Sequence, residues 1–292
     1  MDDFKQYLQA EKYKERTIEE HLLNVNRFII WLTEVHNMQF QEIRYNDLLA
    51  YIQHEKNTGI NVATINLRLT SINKYFEHLK EIGELEKNPA RTIRIKGELQ
   101  KVIIHPINRV ELDSLYQQYS QLKKEAHRQK QADMVHLRNT VVLGLLVFQG
   151  VHSGELQKME AIHVDLSAGT VYVPSTSQGC SRQLELAPRQ VIALHLYLTT
   201  IRSHFKPKGD ELIPGSLRNI TQALMAEIQG LNPVISNALH IRGSVILNWL
   251  KIHPKRQVQY MAGHKYISSS EKYASQEVED LQDALAKHHP FG

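Results

Sequence analysis

One cysteine, Cys180, stands among the 292 residues. A single thiol forms no intramolecular disulfide, which excludes a disulfide-stapled secreted scaffold, and it leaves no ligand set for a cysteine-rich zinc site. The 16 histidines, His288-His289 included, show no His-Glu-x-x-His spacing, so no metal site is expected of them. Long apolar runs are also missing. The longest, around Thr140 to Phe148, falls far short of the roughly 20 residues that a membrane-spanning helix needs. The opening Met1-Asp2-Asp3-Phe4 is unlike the basic, then apolar start of a secretory signal, and a cytoplasmic protein is expected. Strong charge of one sign is absent too. The net charge is +4 and the pI is near 8.9, which permits a polyanionic partner without singling one out. Residues 1–97 carry 14 basic and 14 acidic side chains, so any polyanion affinity there requires the basic ones to gather on one face.

What is present is helical periodicity. With 42% hydrophobic and 23% charged residues, the chain suffices for two domains that each bury a core. Ile18, Leu22, Val25, Ile29 and Leu32 recur at helical spacing over 17–32, the mark of an amphipathic helix. Further helices are predicted at 4–10, 45–55 and 62–79, the last burying Ile65, Leu69, Ile72 and Phe76. Together these read as an all-helical N-terminal domain over 1–89. Asn88-Pro89 stops the pattern, because a residue before proline is pushed out of the α region. Residues 90–106, ending in His105-Pro106, read as a linker.

The second domain, 107–292, opens on Asn108 and Glu111, the N-cap and partner of a capping box. Residues 141–148 are apolar nearly all round and predict a central buried helix. Two β-type runs, 169–174 and 182–186, are joined by a polar segment containing Gly179 and predict a small hairpin. Helices are expected again at 188–202, 217–229 and 240–250. The expected fold class is therefore mainly α with a small antiparallel β-sheet.

Four motifs carry the chemistry. Gly263-His264 is followed nine residues after the histidine by Tyr273; upstream stand Leu239-His240-Ile241-Arg242, Gly150-Val151-His152-Ser153-Gly154-Glu155-Leu156, and the hairpin run Thr176-Ser177-Gln178-Gly179-Cys180-Ser181-Arg182. In order and spacing this set resembles the tyrosine recombinase (phage integrase) family, with its Thr-Gly-x-Arg-x-x-Glu-Leu, Thr-Lys-x-Gly-x-x-Arg, His-x-x-Arg and Leu-Gly-His…Tyr boxes. Thr64-Ile65-Asn66 and Asn88-Pro89-Ala90 likewise resemble that family's core-binding domain, so the resemblance spans nearly the whole chain.

The resemblance implies a two-domain protein that clamps duplex DNA and recombines or integrates it at specific sites, as integrases of mobile elements and chromosome-dimer resolvases do. Tyr273 would be the nucleophile that forms a 3′-phosphotyrosyl bond. Arginines would clamp the phosphoryl oxygens, which acquire charge in the transition state. A lysine would protonate the leaving 5′-oxygen, and histidines would assist proton transfer, with no metal or other cofactor needed. Three catalytic positions depart from the pattern: His152 stands for the first arginine, Ser177 for the lysine, and Leu239 for the first histidine of His-x-x-Arg, with His240 one residue late. The expected catalytic set is thus Tyr273, Arg242, His264, His240 and His152. His152 reads equally as a working replacement or as a structural histidine. Arg68, Lys74 and Arg182 are the candidate DNA contacts, the first two equally readable as a solvated helix face. Val278, Leu281 and Leu285 form a stripe that either closes the protein's own core or, by resemblance, docks on a neighbouring subunit in a tetramer on paired sites. Two functions follow: a strand-transferring recombinase, or a recombinase-like DNA-binding or regulatory protein with impaired catalysis.

Overall fold

The computed structural model describes residues 1–36, 42–96, 105–122, 129–177 and 179–273. The chain divides into two compact units, Met1–Gln100 and Lys101–Gly292.

The first unit is helical: α1 (Asp2–Ala10), α2 (Glu15–Trp31), α3 (Tyr45–Asn57) and α4 (Val62–Glu81). The Asn61 side chain accepts the Thr64 backbone N–H at 2.8 Å and so satisfies one of the free donors at the start of α4. Ile65, Leu69, Ile72 and Phe76 are buried as their period predicts. In α2 the buried stripe is rotated from the one expected. Ile18, His21, Val25, Phe28 and Trp31 face the core, while Leu22 and Ile29 are half-buried. Aromatic area explains the rotation, since Phe28 and Trp31 both pack edge-on against Tyr51 at ring separations of 5.0 and 5.2 Å, and aromatics bury more surface than leucine or isoleucine. His21 is admitted to the core by a 2.9 Å hydrogen bond with the Ser71 hydroxyl.

Asn88 ends the helical pattern by a specific device. Its side-chain amide donates to Asn73 O, Asn73 Oδ1 and Glu77 Oε1, and its carbonyl oxygen accepts from Ala90 N. This turns the chain back along α4. There the Asn66 side chain exchanges two 2.9 Å hydrogen bonds with the backbone of Ile95, and Ala90 is buried. The start of the expected linker is therefore packed on the first unit. Its end is packed on the second, where Ile107 is buried and its backbone bonds to Ser244 Oγ and Asn248 Nδ2.

The second unit contains α5 (Arg109–Gln121), α6 (Gln129–Gln149), α7 (Ser153–Leu156), β1 (Val164–Asp165), β2 (Thr170–Val173), β3 (Arg182–Glu185), α8 (Pro188–Leu196), α9 (Leu217–Leu231), α10 (Ala238–Ile252) and α11 (Lys255–Ala262). A further helix begins at 267 and is described to 273. The stripe of Val278, Leu281 and Leu285 lies outside the described residues. Asn108 and Glu111 form the expected reciprocal cap, each side chain bonded to the other's backbone N–H. Residues 139–149 of α6 are all buried, and α5, α8, α9 and α10 pack around them. The sheet is antiparallel in the order β1-β2-β3, with Val173 opposite Arg182. The short edge strand β1 and the helices α7 and α11 are additions to the elements predicted. The fold is mainly α with a small antiparallel sheet.

Candidate active site

The site is built from chain turns that bring four segments to one cleft of about 530 Å³. At the end of α6 the chain reverses at Gly150, where φ is +54° and an added Cβ would lie 3.2 Å from Trp249 and Val245 of α10. Helix α7 follows as a single turn. His152 caps it, its Nδ1 accepting the Gly154 N–H at 3.0 Å while Glu155 Oε2 accepts the His152 N–H at 2.8 Å. The cap fixes Glu155 beneath the cleft.

Glu155 is the hub of a buried charge network. Strand alternation turns Arg182 inward, and its guanidinium meets the carboxylate in a fork, Nη1–Oε1 at 2.7 Å and Nη2–Oε2 at 3.0 Å. From α10, Arg242 reaches Glu155 Oε2 at 3.4 Å, donates to Ala262 O at 2.6 Å and donates to Gly150 O. Burial by itself would raise the Glu155 carboxyl, but the hydrogen bonds and charge of Arg182, then Arg242, hold it below the ordinary carboxylate value. Two guanidinium groups against one carboxylate leave a positive charge at the cleft floor. Arg242 lines the cleft and has N–H donors beyond those its protein partners occupy.

The next wall is the turn after α11. Gly263 adopts φ +68° as the left-handed cap of that helix, its carbonyl accepts the Cys180 N–H at 2.8 Å, and Gly179 bridges to His264. A methyl group on Gly263 would press into the Arg182 guanidinium and lie 2.9 Å from Cys180 O. Gly263→Ala is accordingly expected to destabilise the second unit by about 2–3 kcal/mol, through a left-handed strain and a backbone clash that cannot relax together. Urea unfolding of the variant measures this; an unchanged midpoint would show that the turn is free to move.

His264 Nδ1 shares a 2.8 Å hydrogen bond with Ser270 Oγ, and its ring lies parallel to that of Tyr273, 9° between planes and 6.1 Å between centroids. Burial, then the charges of Arg242 and Arg182, push His264 down to about 4, so the imidazole is neutral at pH 7. His152 is lowered for related reasons, burial first and Arg242 second, against the opposing charge of Glu155. Burial raises the Tyr273 hydroxyl above its ordinary value, while Arg242 works in the opposite direction. Tyr273, Arg242, His264 and His152 all line the same cleft, with Ser177 and Leu239.

Four expected site residues are placed elsewhere. His240 points back into its own unit, where Nε2 bonds to His105 O at 2.9 Å and Nδ1 receives the Ser236 N–H at 3.3 Å. Its neighbour Leu239, about 100° around the helix, takes the cleft position. Arg182 is fully buried against Glu155 and has no surface to offer DNA. In the first unit Arg68 is largely buried in an ion pair with Glu55. Lys74 lies 3.7 Å from Glu11 and over the Tyr13 ring.

A groove of about 1400 Å³ on the first unit carries exposed basic side chains of its own. The first turns of α4 and the segment 90–96 line it, and Lys56, Arg91, Arg94 and Lys96 are exposed along it. Three of these basic residues lie in the stretch read as linker, which is why the sequence did not place them on a surface. Glu155 belongs to a sequence motif in which it has no expected role of its own. Its signal was available in the pairing of one acid with two inward arginines.

The chain is similar to known proteins in both units. The family described as "Phage integrase, N-terminal SAM-like domain" matches residues 1–83. Tyrosine recombinase XerC of Bacillus subtilis (strain 168) is 24% identical over 302 residues, covering 98% of this chain and 95% of the relative. The TnP I resolvase of Bacillus thuringiensis is 25% identical over 197 residues, 67% of this chain and 65% of the relative. Among solved structures, XerH recombinase bound to difH substrate has a TM-score of 0.68 at 16% identity, covering 91% of this chain and 78% of that one. A lambda integrase(75-356) dimer bound to a COC′ core site has a TM-score of 0.64 at 16% identity, covering 93% of each chain. The fold is that of the two-domain tyrosine recombinases. In sequence and in fold the chain is similar to the tyrosine recombinases.

Proposed function

We propose that the protein is a site-specific DNA recombinase that cuts and rejoins DNA through a 3′-phosphotyrosyl bond to Tyr273. The observation that carries this reading is the stacking of Tyr273 on His264 in a cleft lined by Arg242 and Glu155, with Arg182 buried behind Glu155. The surplus positive charge attracts a phosphodiester, and Arg242 has donors for its non-bridging oxygens as they gain charge. Tyr273 Oη attacks phosphorus, the bond from phosphorus to the 5′-oxygen breaks, and the energy of the cut strand is kept in the new ester. His264, neutral and held by Ser270 at Nδ1, has Nε2 left to take the phenolic proton. Attack by a 5′-hydroxyl on the ester reverses the step and joins strands.

On this reading the partner is double-stranded DNA, whose phosphates meet Lys56, Arg91, Arg94 and Lys96 along the groove of the first unit, and the protein acts in the cytoplasm. Among the described residues no helix is long and apolar enough to cross a membrane. A structurally similar lambda integrase has been solved as a tetramer on a Holliday junction, with a TM-score of 0.64. We extend that assembly, on paired sites, to this chain. The test is a nicked duplex carrying the cognate site, found among inverted repeats flanking the gene. A recombinase leaves a covalent protein–DNA band on a denaturing gel; absence of that band on DNA the protein demonstrably binds would sink the proposal.

A second reading, a DNA-binding protein with impaired chemistry, is favoured by one observation: His152 is kept neutral where a second arginine would clamp the phosphate. The two readings part at His152→Arg. If the missing clamp limits the reaction, the substitution raises the rate of adduct formation about 100-fold, the scale of one transition-state donor. An unchanged rate in a stopped time course would show that the clamp is complete without it.

A further inference from the structure

We infer that Lys265 is the acid that protonates the leaving 5′-oxygen, a role that Ser177 in the hairpin cannot fill; this rests on the recombinase reading above. Expulsion of a 5′-alkoxide near neutral pH needs a donor that is protonated in the resting enzyme and able to release its proton as the bond breaks. The groups around the cleft can be taken in turn. Arg242 and Arg182 are guanidinium groups, which do not give up a proton in this range. Glu155 is ionised and held between them. His264 and His152 are both pushed down toward the neutral form, by burial and by Arg242. Tyr273 is the nucleophile. Thr176 and Ser177 offer only alcohol hydroxyls. The ammonium groups remain: Lys272, which lines the cleft, and Lys265, which lies outside the lining and reaches it at the Ser177 carbonyl.

Lys265 is fixed to the hairpin wall. Its Nζ donates to Ser177 O at 2.7 Å, and Ser177 lines the cleft. The position is reinforced at the two residues before it, where Gly263 O accepts the Cys180 N–H and His264 bridges to Gly179. One ammonium N–H is used by the Ser177 carbonyl, and two are left. The hairpin thus carries an ammonium group that its own sequence lacks, supplied from the turn beside His264. Lys272 is instead on the helix that bears Tyr273, so it approaches from the nucleophile's side. An in-line displacement needs its acid at the departing oxygen, across the phosphorus from the attacking one. In the step, the Tyr273 oxygen bonds to phosphorus, the electron pair of the broken bond stays on the 5′-oxygen, and that oxygen takes a proton from Lys265 Nζ, which becomes a neutral amine. The reverse attack returns the proton.

The experiment compares full-length wild type, Lys265→Met, Lys265→Arg and Lys272→Met on two nicked duplexes that carry the cognate site. One has the natural bridging 5′-oxygen; the other has sulfur there, and a thiolate leaves without protonation because its conjugate acid is far stronger than an alcohol. Lys265→Met and Lys265→Arg are both expected to form adduct about 100-fold more slowly on the oxygen substrate and within about threefold of wild type on the sulfur substrate, with gel retardation unchanged. The arginine variant keeps a cation and donor for Ser177, so its failure on oxygen separates proton donation from latching the hairpin. Equal losses on both substrates, no loss on either, or the same rescue pattern in Lys272→Met would overturn the assignment. So would a wild type that cleaves only the sulfur duplex. If wild type forms no adduct with either duplex, the recombinase reading falls first and this inference with it.

Discussion

Tyr273→Phe is expected to form no covalent adduct with nicked DNA at any time, while retarding the same DNA on a native gel as wild type does. The reason is chemical, because the substitution removes the only atom proposed to bond to phosphorus and leaves the rest of the site intact. The ring stacks on His264 and packs at the edge of the second unit's core, contacts that phenylalanine preserves. The hydroxyl makes no hydrogen bond among the described residues, so its loss strands no partner, and stability should change by less than about 1 kcal/mol. DNA affinity should also hold, since it comes mainly from cations meeting phosphates. Its salt dependence should instead weaken when Arg91, Arg94 and Lys96 are replaced together. Quantifying adduct and retardation on one DNA preparation settles the matter. Residual adduct in Tyr273→Phe would place the nucleophile elsewhere.

The parts of the fold that were legible in the sequence are those in which one local signal has no competitor. Asn108 and Glu111 cap α5 as their spacing says, Ile65 to Phe76 bury one face of α4, and the all-apolar stretch of α6 becomes the centre of the second unit. The rotation of α2 was not legible, because it depends on which partners lie opposite, and Tyr51 and Ser71 belong to other helices. The site divides the same way. Spacing alone brings Tyr273 and His264 together, since both belong to one turn and the helix after it. Periodicity gives the direction of His240, yet only the tertiary structure provides the His105 carbonyl that takes its ring. Arg68, Lys74 and Arg182 look alike in a sequence as surface cations, and each is claimed by a carboxylate from a distant segment. The compensation is equally non-local. Residues 90–96 lie along α4 because Asn66 pairs with Ile95, which converts an apparent linker into the basic rim of a groove.

Glu155→Ala is expected to cost the second unit about 3–5 kcal/mol, the scale of leaving a buried charge without its partner. That is a large share of the roughly 5–15 kcal/mol that holds an ordinary domain together. The site is unusually exposed to this loss because Glu155 answers two cations at once. Arg182 has no exposed side-chain surface, so its guanidinium has no water to turn to. Arg242 would keep its bonds to Gly150 O and Ala262 O but would face Arg182 without an intervening carboxylate. The His152 backbone N–H would lose its acceptor as well, freeing the cap of α7. Glu155→Gln should fall between, since an amide oxygen still accepts from an arginine but the negative charge is gone. The same pairing gives stability a pH signature. A carboxyl held below its ordinary value of 4.5 contributes fully above that pH, and its contribution disappears as pH falls through the lowered folded-state value. Wild type should therefore lose urea resistance on acidification below about pH 4.5 more steeply than Glu155→Ala, whose unfolding midpoint is already low at pH 7. Should the two proteins unfold at the same urea concentration at pH 7, Arg182 and Arg242 would be held by something other than Glu155, and the charge at the cleft floor would need a different source.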